Sequence, residues 1–108
     1  MKLSELEMDE WDGTWEVVFE TDEKKILLLH LANMVGLKEA GRRNLICVDP
    51  SNNIVWIAEA PKTGRSIGWY KDDFNIQNNK LIGSYGGSVF VEIDPSNGLI
   101  LEEKFKPW

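Results

Sequence analysis

"GGSVFVEIDPSNGLILEEKF", Gly86–Phe105, is an apolar run, a turn and a second apolar run. Much of it recurs 45 residues upstream, where Val48-Asp-Pro-Ser-Asn-Asn-Ile54 matches Ile93-Asp-Pro-Ser-Asn-Gly-Leu99. The shared turn chemistry has a physical reading. Pro at the second turn position presets φ, the Asp before it can bond the backbone that follows, and Asn53 or Gly98 supplies a residue tolerant of positive φ. Each copy is therefore expected to be a hairpin.

Working outward, short apolar or alternating runs are separated by turn signals along the chain after Trp11, the pattern of an all-β domain. Strands are expected over Trp15–Thr21, Lys25–Leu31, Asn44–Val48, Ile54–Ala60, Trp69–Gln77, Leu81–Ser84, Ser88–Ile93 and Leu99–Phe105. The one helix-like stretch is Ala32–Ala40, which stops at Gly41 but also contains Gly36. A second offset, of 55, places Phe19, Lys25 and Ile26 on Phe74, Lys80 and Leu81, and Gly13 and Trp15 on Gly68 and Tyr70. The two offsets differ by an insertion, "LANMVGLKEAGRR" in the first copy against a short "YGG" turn in the second. The chain thus reads as one domain, residues 1–108, holding pseudo-repeats 13–60 and 68–105 joined by the linker 61–67.

Lys80–Leu101, "KLIGSYGGSVFVEIDPSNGLIL", resembles the blade repeat of quinoprotein-type (PQQ-like) β-propellers, in which a strand ends in small residues before a Gly turn and an apolar strand runs into Asp. Asn44–Trp56 resembles the second half of another blade, with Trp56 where that repeat often ends in Trp; the later copy has Leu101 at that place. A propeller closes with about four to eight blades. Two blade-like meanders therefore pack on each other as a sandwich or flattened barrel, or several chains pool theirs into a propeller-like homo-oligomer. Ile26–Leu31, "ILLLHL", is apolar on both sides of a strand and calls for cover on both faces. Glu102-Glu103-Lys104 marks the last strand as a solvated edge. The family's quinone cofactor is held by a full ring of blades, so no cofactor is carried over.

At 108 residues the chain can bury a real core, and its 43% apolar and 28% charged residues suit a globular domain. Eighteen carboxylates against twelve basic groups leave a charge of -6, which disfavours nucleic acid and anionic membrane and favours a cationic protein partner. The acidic start and the absence of a long apolar run point to a cytoplasmic protein. One cysteine, Cys47, excludes an intrachain disulfide.

The single histidine, His30, lies in an apolar run and is expected to be structural; an enzyme built on His30 and Cys47 is the weakest reading. Adjacent acids such as Asp72-Asp73 point to opposite faces of a strand, so they make no two-carboxylate site, and the "DPSN" turns lack the spacing of a calcium loop. No catalytic residue, metal ligand or cofactor is assigned. Trp15 with Tyr70, and Trp56 with Leu101, read as paired core positions. Loops that depart from a repeated scaffold concentrate binding residues. Met34, Leu37, Arg42 and Arg43 of the insertion, with the terminal Trp108, are therefore the candidate partner contacts of a non-catalytic interaction module, of immunity type and bacterial origin. The alternative is a small ligand, a carbohydrate, stacked on Trp69, Tyr70 and Tyr85.

Overall fold

The computed structural model describes residues 1–32, 43–62, 68–86 and 89–105. They form eight strands: β1 Trp11–Glu20, β2 Lys25–Leu31, β3 Leu45–Val48, β4 Ile54–Ile57, β5 Asn75–Gln77, β6 Lys80–Tyr85, β7 Val89–Ile93 and β8 Ile100–Phe105. The strands build two antiparallel four-stranded sheets, in the orders β1-β2-β3-β4 and β5-β6-β7-β8. Two meanders packed as a sandwich are what the repeat implies, and neither sheet closes into a barrel. A 3₁₀ turn at Leu3–Glu5, not marked by the sequence reading, precedes them. The stretch expected from Trp69 shrinks to Asn75–Gln77, with one bridge between Tyr70 and Tyr85. The helix expected over Ala32–Ala40 falls almost wholly outside the described residues.

Turn chemistry sets these hairpins. Asn78 and Asn79 carry φ of 50° and 61° between β5 and β6, the pair of positive values that a tight two-residue hairpin requires. In the repeated turns, Asp49 Oδ1 accepts the N–H groups of Ser51 and Asn53, both at 2.9 Å. Asp94 Oδ1 accepts Ser96 N–H at 2.9 Å and its hydroxyl at 2.6 Å. The copies then diverge by one residue. The first is closed by Asp49 N–H on Asn53 O and the second by Asp94 N–H on Leu99 O, each at 2.9 Å. Positive φ accordingly falls on Asn52 (62°) and Gly98 (76°), not on Asn53.

That extra residue shifts the alignment downstream. Val48 opposes Ile54 while Ile93 opposes Ile100, so Leu101 corresponds to Val55, each the additional residue of a bulge. Trp56 is buried, whereas Leu101 is 53% exposed, so these two do not share a core position. The ladders also correct the offset of 55. Lys25 opposes Val48 and Leu81 opposes Ile93, so matching the two turns matches Lys25 to Leu81 and Ile26 to Ile82.

Two cores result. Between the sheets lie Ile26, Leu28, Leu45, Cys47 and Trp56 from the first, against Leu81, Val89, Val91 and Ile93 from the second. The opposite face of the first sheet holds Leu27, Leu29, Ile46 and Val48, and these pack beneath Leu3, Leu6, Met8 and Trp11. The N-terminal strap is tied on by Leu3 N–H to Asn52 O (2.8 Å) and Ile54 N–H to Met1 O (2.7 Å). The expectation that β2 is covered on both faces thus holds, with residues 1–10 supplying the second cover. Val91 and Ile93 face the other sheet while their counterparts Ile46 and Val48 face the strap. The repeats are therefore related by a step through the stack, not by a twofold that would set like face on like face.

Polar clasps join the layers. Asn44, the one buried polar residue among those described, accepts Tyr70 N–H at 2.7 Å and donates to Leu29 O and Tyr70 O at 3.2 and 3.1 Å. Pro95 O receives Trp56 Nε1–H at 3.1 Å and Lys24 Nζ–H at 2.8 Å. Glu59 Oε1 accepts the N–H of Ile100 at 2.8 Å.

Candidate functional site

Two surface clefts gather the unusual side chains. The first, of about 320 Å³, lies at the seam between the sheets, where His30, Asn44, Trp69, Lys71 and Asp72 converge. Leu31, the first residue of the inserted segment, and Asn44, which follows its last, both line it. Trp69 is half-buried, and the Lys71 ammonium sits 4.6 Å from its ring centroid, so one face is already held by a cation.

The two tyrosines expected beside Trp69 as stacking platforms are core residues instead. Tyr70 is 1% and Tyr85 5% exposed, and their rings meet edge-on at 4.8 Å. Buried faces cannot receive a ligand. The Tyr70 hydroxyl donates to Glu59 O, and burial pushes its phenol far above the usual range. Gly68 lets the chain pass over Tyr85, since a Cβ there would lie 2.7 Å from the Tyr85 ring.

Arg43 is likewise engaged internally. Its Nε and Nη2 donate to the carbonyls of Ala58 and Ile57 at 2.9 and 3.1 Å, capping the end of β4. Met34, Leu37, Arg42 and Trp108 lie outside the described residues.

His30 is exposed at the end of β2 rather than tucked into the core. Thr14 Oγ1 donates to Asp12 Oδ1 at 2.6 Å and so is left to accept from His30 Nδ1, 3.1 Å away. His30 Nε2 is 3.7 Å from Glu16. Cys47 is sealed between the sheets, where burial raises its thiol pKa. It opposes Ile26, four residues before His30 and so about 13 Å along β2, and the two form no pair. No group of three metal-ligating side chains occurs among the described residues, and no described helix is long and apolar enough to cross a membrane.

The second cleft, of about 290 Å³, is on the strap side of the first sheet. Trp11 and Trp15 form one wall, with ring centroids 6.2 Å apart and planes inclined by 39°; Leu3, Ser4, Ser51 and Asn52 form the other. Trp15 is not the core partner that its alignment with Tyr70 suggested. It opposes Leu29 on the outer edge strand and is 41% exposed. The Trp11 indole N–H is fixed on Thr14 O at 2.7 Å. Charge supplies a signal for this region that the composition as a whole hides: residues 1–23 hold nine of the eighteen carboxylates and one of the twelve basic groups.

The sequence of residues 7–105 matches the family described as a domain of unknown function, DUF7957. The chain belongs to this family. The DUF7957 match takes in all eight strands with Trp11 and Trp15, and begins after the 3₁₀ turn of the strap. Neither a curated protein nor a solved structure matches the chain.

Proposed function

We propose that this DUF7957 chain is a non-catalytic interaction module that recruits a cationic protein partner, in the manner of an immunity-type protein. The lopsided charge carries the reading. The strap and β1 together concentrate carboxylates along one edge of the sandwich, and a field of that kind steers a basic partner and sets its on-rate. Exposed Trp15 and Val17 on the same strand supply the apolar contact that charge alone lacks.

The test is affinity capture with the whole chain as bait, repeated with Glu7→Lys and Glu16→Lys together. Both carboxylates are exposed. A partner that is retained at low salt, released by high salt and lost on charge reversal supports the reading. Capture indifferent to both treatments overturns it.

A second reading, small-ligand binding, is favoured by one observation: Trp69 opens onto the seam cleft that the ends of the insertion border. A carbohydrate panel that shifts the Trp69 indole resonance would support it, and a flat response would remove it.

A further inference from the structure

We propose that the Trp11–Trp15 cleft is the docking site for an arginine side chain presented by a basic peptide segment of the partner. This deepens, and rests on, the interaction-module reading. Three features converge on the cleft. Its aromatic wall is half fixed and half open: Trp11 is anchored through its indole N–H, whereas Trp15, on an edge strand, is 41% exposed. Two indoles inclined toward one another at this spacing offer π faces to one guest, and Trp gives the strongest cation–π attraction of the aromatic side chains.

Two carboxylates are held by the backbone of residues that line the cleft. Glu5 Oε1 accepts Lys2 N–H at 2.7 Å and Asp49 Oδ1 accepts Ser51 N–H at 2.9 Å. Hydrogen bonds, chiefly from Asn53, hold Asp49 below the usual carboxylate range, so it stays charged at neutral pH. The one basic side chain lining the cleft, Lys2, is turned onto Ser51 O at 3.1 Å. Carboxylates held beside a π wall complement a planar cation. Guanidinium suits it better than ammonium because it stacks flat and sheds water more readily.

The experiment titrates the full isotopically labelled chain with a capped heptapeptide, Gly-Arg-Gly-Arg-Gly-Arg-Gly, and follows its five indole N–H resonances. The Trp15 and Trp11 signals should move and that of buried Trp56 should not. Trp15→Leu keeps apolar bulk without the π face and should weaken binding by roughly fivefold to thirtyfold. Replacing the peptide's Arg by Lys should weaken it less, and replacing it by Glu should abolish binding. Trp15→Tyr, which retains a π face, should recover most of the affinity and guards against a folding defect.

Binding that leaves the Trp15 signal in place, or is equal in Trp15→Leu, means attraction by charge alone and overturns the proposal. So does an equal response to a neutral proline-rich peptide or an oligosaccharide. If the natural partner is captured in a charge-dependent way yet Trp15→Leu captures it equally, the cleft assignment fails and the module reading survives. If the arginine peptide binds at Trp15 but no charge-dependent partner is found, the module reading fails alone.

Discussion

The two sheets share a plan and a turn sequence, yet they are buried differently. In the first, β2 reads as a continuous apolar run because one face meets the second sheet and the other meets the strap. In the second, β6 and β7 alternate buried with partly exposed positions, as Leu81, Gly83 and Tyr85 do against Ile82 and Ser84. Where Leu27 fills its own place under the strap, its counterpart Gly83 leaves the place to the ring of Phe74; a Cβ there would lie 2.5 Å from that ring. An uninterrupted apolar strand therefore marks two covers, and alternation marks one.

The comparison breaks first at the strap. Deleting residues 1–9 removes Leu3, Leu6 and Met8 from above Leu27, Leu29, Ile46 and Val48. Leu3 is buried and Leu6 and Met8 partly so, and the four residues beneath lose their cover; at about 1.5–3 kcal/mol for each fully buried side chain, the loss is a large part of a domain stability of about 5–15 kcal/mol. The truncated chain should lose its cooperative thermal transition and bind a hydrophobic dye. An unchanged melting temperature would show that the first sheet needs no second cover.

Next in size is the clasp between the sheets. Asn44→Ala leaves Tyr70 N–H and Leu29 O without their side-chain partner and should cost about 2–4 kcal/mol in denaturant unfolding. A loss below about 1 kcal/mol would mean that water replaces Asn44 and the sheets hold by apolar packing alone.

The repeated turns sharpen the contrast at smaller scale. Gly98 has positive φ and lies against Trp56, where an added Cβ would meet the ring at 2.5 Å. Gly98→Ala should therefore destabilise by about 1–3 kcal/mol. Asn52→Gly, at the positive-φ position of the other copy, should stay within about 0.5 kcal/mol. Equal effects at both turns would contradict the assigned difference in loop length.

The smallest effect is acidic. Asp49 is held below its ordinary pKa chiefly by Asn53 and Asp94 by Ser96, so each stabilises the fold above the unfolded value of about 3.9. That contribution is lost as pH falls through the lowered folded values. The stability gap between the wild type and the Asp49→Asn, Asp94→Asn double variant should shrink from neutral pH to pH values below about 3. A gap constant with pH would mean that shape, not charge, is what these side chains contribute.

Much of this architecture was legible from local chemistry. Asp-Pro-Ser-Asn turns and alternating runs located the hairpins, and Ile26–Leu31 announced a doubly covered strand. The candidate site was far less legible. Tyr70 and Tyr85 look the same as Trp15 and Trp69 to composition, since all are large aromatic residues near turns. Arg43 resembles a free surface base until the carbonyls at the end of β4 are seen to take its hydrogens. The one signal for the edge where the paired indoles lie, the crowding of carboxylates into residues 1–23, is lost when charge is read over the whole chain.

By itself the sequence determined that there are two meanders and where each turns, because proline, glycine, asparagine and aspartate act through their own and their neighbours' backbone. Tertiary structure alone decided which face of each strand is inside. Side chains alternate with a period of two, so the one-residue difference between the Asn52 and Gly98 turns is enough to exchange core for solvent downstream. That parity is set by ladder partners distant in the chain, and it is why Trp56 is buried, Leu101 exposed, and Trp15 left at a surface.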